Sequence, residues 1–340
     1  MSHIPSIVAE LSQFSAFIGR DIELVQGAGG NTSIKDGNTL WVKASGAWLA
    51  DSINRNIFLP LDLGRIHSTI DAGGEDFSGC MVGITSERPS IETSLHALMP
   101  HRVVVHTHSV NALAWAVRTA GREQIANRLG GIDWLWIDYA RPGLALAQAV
   151  RAAQVAKPDS QVLVLANHGL VIGADSVTDS RNLLEMVEKR LHVPARVWSA
   201  PRKQDLDDLL VPDARLPECT ETHALARDTI GKTIAASGAL YPDHAVFLGT
   251  SIPSFELTGT TESESLVCAT LGEPPYCAII RGGGVILGPK CSKAAEAMLA
   301  CCALLSLRLD DSITLQYLPY DEVTALASWD MEKHRMLLQR

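Results

Sequence analysis

The apolar positions of this chain change period several times, and the changes outline its elements. Residues 5–19 place Ile7, Val8, Leu11, Phe14, Phe17 and Ile18 near helical spacing, which predicts an amphipathic opening helix. Thr32 to Ala44 reads as two strand-like pieces around the turn signal Asp36-Gly37-Asn38, so a hairpin is expected. Val103-Val-Val-His106 is an apolar run of strand length, and Val162-Leu-Val-Leu-Ala166 is a second. Helical patterns cover about 92–99, 110–119, 144–156 and 176–191. The pattern lapses near 199–217, where Pro201, Pro212 and Pro217 stand among polar residues. A linker is therefore expected at 201–217, between a catalytic domain at 1–200 and a smaller α/β region at 218–340. That second region predicts a helix at 219–237, strands near 244–249, 276–281 and 284–287, an Ala/Leu-rich helix at 292–308 and a last helix at about 320–338.

Composition narrows the function classes. A chain of 340 residues is comfortable for two domains. Its net charge of -9 argues against nucleic acid as a partner, because neutralising phosphates needs a basic surface. A small phosphorylated ligand stays possible, since it needs only a few local donors. Seven scattered cysteines without a CxxC pair fit free thiols in a reducing cytoplasm better than a disulfide framework. The start, Met1-Ser-His-Ile-Pro5, has no basic and apolar leader pattern, and no apolar run is long enough to span a membrane. A cytoplasmic protein with no membrane partner is expected.

The candidate chemistry lies in three histidines. A strand alternates its faces, so His106 and His108 leave the same side with Thr107 opposite. His168 stands just past the second apolar run, at the turn marked by Gly169. If the two strand ends meet, three neutral imidazoles converge, and three protein ligands with an open fourth position make a catalytic zinc site. The plain alternative is three half-buried, hydrogen-bonded histidines. Ser90 reads as a helix N-cap, and Glu92 either compensates the helix dipole or serves as a base beside the metal. His96, one turn on, is read mainly as a packing residue. Gly27-Ala-Gly-Gly30-Asn31-Thr-Ser33 leads into a hairpin rather than a helix, which excludes a dinucleotide fingerprint. It reads as a tight turn whose amides and Asn31 can hold an anion, with Ser45-Gly46 as a second donor set.

Gly30-Asn31-Thr-Ser33, Lys43-Ala-Ser45-Gly46, Ser90-Ile-Glu92-Thr-Ser-Leu-His96, His106-Thr-His108 and Asn167-His168-Gly169-Leu170 together resemble the class II aldolase/adducin family, over about residues 5–195. The chain is most similar to the aldolase part of bacterial rhamnulose-1-phosphate aldolase/alcohol dehydrogenase fusions. Tyr139-Ala-Arg-Pro142-Gly143, Tyr241-Pro-Asp243-His244, Arg281-Gly-Gly-Gly284-Val285 and Trp329-Asp-Met-Glu332-Lys333 carry that resemblance. It implies a three-layer α/β/α sandwich with a mostly antiparallel sheet, assembled as a homotetramer with sites at subunit interfaces. It implies Zn2+, or another divalent transition metal, on His106, His108 and His168. Glu92 would be the catalytic acid/base, and Asn31, Ser45, Gly46 and Ser90 would hold the substrate phosphate. Two departures stand out. Ile91 replaces the second serine that fuculose-phosphate members carry before the glutamate, and Arg122–Asn127 lacks their tyrosine proton donor. Tyr139 is a substitute or a structural tyrosine. Lys43 is expected as an anion contact or a solvated side chain, since no lysine Schiff base is needed.

The activity so implied is cleavage of a ketose 1-phosphate, such as rhamnulose or fuculose phosphate, to dihydroxyacetone phosphate and an aldehyde through an enediolate. Three alternatives stay open: a decarboxylase or 4-epimerase using the same ligands, an adducin-like interaction module without chemistry, and a zinc hydrolase.

Overall fold

The computed structural model describes residues 5–339, which divide into two compact units. Among these residues the first unit comprises 5–116 and 120–192, and the second 117–119 and 193–339. Residues 1–4, where a leader was sought, lie outside the described residues.

The first unit is built on a seven-stranded sheet in the order β3-β2-β1-β4-β7-β6-β5. Its strands are β1 Asn31–Asp36, β2 Thr39–Lys43, β3 Phe58–Asp62, β4 Val103–Thr107, β5 Trp134–Ile137, β6 Val162–Leu165 and β7 Gly169–Ala174. Neighbours run antiparallel except β5 and β6, which run parallel. The sheet is therefore mixed rather than purely antiparallel. Gly37 and Asn38 close the β1–β2 hairpin where the turn signal stood, with Asp36 opposite Thr39. The seven helices are α1 Ser6–Gly19, α2 Leu63–Asp71, α3 Thr93–Leu98, α4 Val110–Ala116, α5 Gly121–Ala126, α6 Leu144–Gln154 and α7 Val177–Leu191.

Helices cover both faces of the sheet. α1, α4 and α7 pack against β1, β4 and β7 on one side, and α2, α3 and α6 pack on the other. Period-2 alternation explains the division. Val104, Leu163, Leu165 and Val171 meet Leu95 and Met99 of α3 and its flank, and Leu146, Ala147 and Val150 of α6. His106 shares the parity of Val104, so it leaves β4 on the α3 side. β4 is buried on both faces, which is why it reads as a continuous apolar run. The helix expected at 110–119 stops at Ala116, whose carbonyl accepts from Asn167 N at 3.0 Å.

The second unit has its own small sheet, in the order β10-β9-β8, of β8 Ser254–Phe255, β9 Cys277–Ile280 and β10 Gly284–Leu287. Its helices are α8 Lys203–Asp207, α9 Ala224–Arg227, α10 Thr229–Ser237, α11 Pro242–Leu248, α12 Thr261–Leu271, α13 Lys293–Ser306, α14 Tyr320–Ser328 and α15 Asp330–Leu337. Val267 and Leu271 of α12 pack with Ala278, Ile280 and Ile286 of the sheet. The stretch 201–217 carries α8, and Arg215 exchanges both backbone hydrogen bonds with Leu287.

Three expectations for this region need correction. The strand expected near 244–249 is the helix α11. Pro242 sits in its first turn with Asp243, and Gly249 beyond its end has φ +76°; these start and stop signals outweigh the apolar run between them. The helix expected at 219–237 breaks at Asp228, whose carboxylate accepts from Ile230 N and Gly231 N and so caps α10. The last helix divides at Trp329, which is extended between α14 and α15.

Candidate metal centre and its carboxylate

Sheet register brings the predicted residues together. Asn31 on β1 lies directly opposite His106 on β4, and Thr107 lies opposite Leu170 on β7. His168 stands in the β6–β7 turn, one residue before β7 begins. Asn167 sets that turn with φ 52°, a left-handed conformation that asparagine tolerates better than most residues. Gly169 is required by close approach: a Cβ there would lie 2.3 Å from the Thr107 carbonyl oxygen. Gly30, at φ +60°, meets the same limit, its Cβ falling 2.8 Å from the carbonyl oxygen of His106. Any side chain at either glycine would push its strand off β4 beside the histidines.

The three imidazoles converge as expected. Their donor atoms lie within 4.8 Å of one another. His106 Nε2 and His108 Nε2 are 3.1 Å apart. Glu92 joins them: Oε2 is 3.4 Å from His106 Nε2, and Oε1 is 3.4 Å from His168 Nε2. All four side chains are buried; Glu92 is 4% exposed and His106 0%. The His106 Nδ1–H donates to the Leu170 carbonyl at 3.0 Å, which leaves Nε2 as a lone pair facing the cluster.

The donor set fits a divalent cation. Ligand nitrogens about 2.0–2.1 Å from a tetrahedral zinc stand about 3.3 Å from one another; His106 and His108 are at 3.1 Å and all three donors lie within 4.8 Å. Glu92 Oε1 is buried and accepts no hydrogen bond. Burial pushes the Glu92 carboxyl up. Positive charge on His106 and His168 when those rings are protonated, the Asn31 hydrogen bond and then His108 outweigh that and bring it down to about 2. A cation among the imidazoles would act in the same direction. Glu92 is thus ionised at neutral pH.

Glu92 itself is the N-cap residue of α3, not Ser90 as expected. Ser90 lies two residues earlier. Its Oγ accepts from Glu92 N at 3.3 Å and from Asn31 Nδ2 at 3.3 Å, and its carbonyl accepts from Thr93 Oγ1. Asn31 Nδ2 also donates to Glu92 Oε2 at 2.7 Å. Both amide hydrogens of Asn31 are therefore engaged with Ser90 and Glu92. His96, read as a packing residue, is hydrogen-bonded at both ring nitrogens, to Ser33 and Asn31. Burial holds its imidazole neutral, down to about 3.

The loops expected to hold an anion also meet. Ser90 N donates to the Lys43 carbonyl, and Ala44 bridges to Pro89. Lys43 is not solvated: at 2% exposed, its Nζ donates to the carbonyls of Ala28 and Ala47 at 2.7 and 2.8 Å. It ties the glycine turn to the Ser45-Gly46 loop, a link that no local spacing reveals. Gly46 is buried and Ser45 half-buried. Tyr139, half-buried, follows β5, whose last residue Ile137 pairs with Leu165 before the His168 turn.

Three histidines and a glutamate thus gather at one end of the strands of this sheet, a donor set able to hold a divalent cation. The family model described as Class II Aldolase and Adducin N-terminal domain matches residues 11–194, and the chain belongs to that family. Its class II aldolase members use a divalent metal and are generally lyases, and the family also includes epimerases and decarboxylases. Among relatives, "Uncharacterized oxidoreductase YuxG" of Bacillus subtilis is 32% identical over 205 residues, which is 55% of this chain and 30% of that protein. The chain thus spans under a third of that relative, as fits the aldolase part of a fusion with an oxidoreductase-like partner. The L-fuculose phosphate aldolase of Methanocaldococcus jannaschii is 26% identical over 180 residues, 50% of this chain and 86% of that enzyme. A solved N-terminal class II aldolase domain from Thermoplasma acidophilum superposes with TM-score 0.49 at 26% identity, over 56% of this chain and 94% of that one. No helix among the described residues is long and apolar enough to cross a membrane.

Proposed function

We propose that the protein is a zinc-dependent aldolase that cleaves a ketose 1-phosphate, of the rhamnulose or fuculose type, to dihydroxyacetone phosphate and an aldehyde. One observation carries this reading: three imidazole donors gather within 4.8 Å of one another, and a buried, ionised carboxylate stands 3.4 Å from two of them. His106, His108 and His168 hold the metal. When bound, the cation polarises the substrate's carbonyl and hydroxyl oxygens and stabilises the negative charge left by bond cleavage.

The protein's own groups do the rest. The C3–C4 bond breaks with its electron pair left on C3, the C4 hydroxyl gives its proton to the Glu92 carboxylate as the aldehyde forms, and the Glu92 carboxyl so formed delivers that proton to C3 and returns to carboxylate. Oε2 of Glu92 is fixed by Asn31, so Oε1, which accepts no hydrogen bond, is the atom that carries the proton. Ser45, Gly46, Ser90 and the turn at Gly27–Asn31 hold the phosphate, with Lys43 keeping the two loops at a fixed distance. Asn31 contributes to substrate binding through this frame, since its amide hydrogens are engaged. Burial of the cluster excludes water, which strengthens each of these interactions. A cytoplasmic homotetramer goes with this reading through the family resemblance.

The test is elemental analysis of the purified protein, then incubation with rhamnulose and fuculose 1-phosphates. Roughly one zinc per chain and release of dihydroxyacetone phosphate are expected. Carbon dioxide from a 3-oxo acid phosphate, or an epimer from a pentulose phosphate, in place of an aldehyde would replace the aldolase by the decarboxylase or 4-epimerase. Purified protein that takes up no metal would leave the adducin-like module.

A further inference from the structure

The hydrogen bonds behind Glu92 have a fixed direction. The amide oxygen of Asn31 can only accept, so His96 Nε2, its partner, must carry the hydrogen. His96 Nδ1 is then an acceptor, and the Ser33 hydroxyl 2.6 Å away must donate to it. With its oxygen held by His96, the Asn31 amide cannot flip. Its NH2 faces Ser90 Oγ and Glu92 Oε2. A flipped amide would set a carbonyl oxygen against a carboxylate, two acceptors in contact within a buried site.

From this geometry we infer that Ser33 and His96 are positioning residues for the reaction: the one-way chain Ser33 to His96 to Asn31 to Glu92 locks the Asn31 amide, pins Glu92 Oε2 and leaves Oε1 free to move the proton. The inference rests on Glu92 being the acid–base group. The members of the chain stand on rigid elements. Ser33 and Asn31 are two residues apart on β1 and so share a face; His96 is on α3, and Glu92 is its N-cap residue. Bonds linked in series polarise one another, and a misplaced reacting group loses rate steeply. A histidine that merely fills space would need neither partner. His96 is fully buried and stays neutral, as the chain requires.

Two substitutions separate positioning from packing. Glutamine places its amide nitrogen near the Nε2 position of histidine, and asparagine places its own near Nδ1. His96→Gln therefore keeps a donor to Asn31 Oδ1, and His96→Asn does not. Ser33→Ala removes only the first link. The assay uses the full-length, zinc-loaded protein and follows carbon-bound proton exchange of dihydroxyacetone phosphate in D2O by NMR, with metal content measured alongside. In His96→Asn, kcat for exchange is expected to fall about 10–100-fold with KM and bound zinc unchanged. His96→Gln should stay within about threefold, and Ser33→Ala should fall several-fold in kcat alone. In metal-free protein, 15N NMR should show His96 as the neutral Nε2–H tautomer.

Equal losses in His96→Asn and His96→Gln would reduce His96 to packing, and no loss in either would remove it from the reaction. If His96→Asn does not fold, Ser33→Ala decides: unchanged kcat overturns the chain. An Nδ1–H tautomer overturns it whatever the kinetics. Failure of the underlying reading looks different: Glu92→Gln then exchanges at the wild-type rate, and the tautomer still decides the hydrogen-bond chain.

Discussion

Two buried polar clusters, one in each unit, show how a site differs from a structural brace. In the second unit Arg335 reaches the carboxylates of Asp243 and Glu332, the latter at 2.7 Å, and all three side chains are buried. Opposite charges there face one another, and α11 is tied to α15. In the first unit three imidazole donors face one another and a carboxylate, with no arginine or lysine among the donor group. Like groups aimed at a common point are costly unless something else is meant to stand between them. The first cluster thus has the donor set a cation would complete, and the second is already complete in charge. Burial alone would not have separated them.

The comparison breaks most visibly at the histidines. His106→Ala should lose bound zinc and essentially all aldol activity together, while leaving the second unit folded; elemental analysis and the cleavage assay read this. Full activity without metal would refute the ligand assignment. Glu92→Gln comes next. It should retain zinc and lose about 10²–10⁴-fold in proton exchange on dihydroxyacetone phosphate, the usual range for a positioned acid–base group. Zinc loss in that variant would make Glu92 a ligand before it is a base.

What was legible in the sequence follows the range of the interactions. The β1–β2 hairpin, β4 and the His106/His108 pair depend on neighbours two to four residues away, so period and turn chemistry reveal them. His168 was legible because Asn167 and Gly169 mark its turn. The orienting role of Asn31 was not, since Asn31 meets His96 and Glu92 across more than sixty positions of chain. The solvated alternative for Lys43 failed for a related reason. Charge suggests solvent, and only the approach of Ala28 and Ala47 supplies the carbonyls that let an ammonium be buried. α11 failed differently: its apolar residues match either period, and Pro242 and Gly249 held the deciding information.

The brace in the second unit makes the opposite prediction to the metal cluster. Arg335→Met leaves Asp243 and Glu332 buried without their guanidinium. It should cost about 3–5 kcal/mol in denaturant unfolding of that unit, the usual result of removing one partner of a buried ion pair. Zinc content and the exchange rate of the folded protein should not move. If they fell as far as in His106→Ala, the division into site and brace would be wrong.

The smallest effect concerns His244, which lies beside the brace in sequence yet is fully buried and neutral. Burial lowers its imidazole from the ordinary 6.5 to about 4. A depressed histidine favours the fold only while unprotonated. Its contribution is therefore complete above pH 6.5 and is lost as pH falls from 6.5 through 4, because the unfolded chain binds the proton first. His244 Nδ1 accepts from Leu240 N at 3.3 Å, and asparagine offers an oxygen at that position without titrating. His244→Asn should thus leave stability near pH 7.5 changed by less than the Arg335 variant and flatten its decline between pH 6.5 and 4. Acid would also strip a metal held by the three imidazoles of the first unit, so the measurement is the difference between variant and wild type, both metal-free. A slope unchanged by the substitution would mean that the acid sensitivity belongs to other groups. It would then offer no contrast between a histidine kept neutral by packing and histidines kept neutral for a metal.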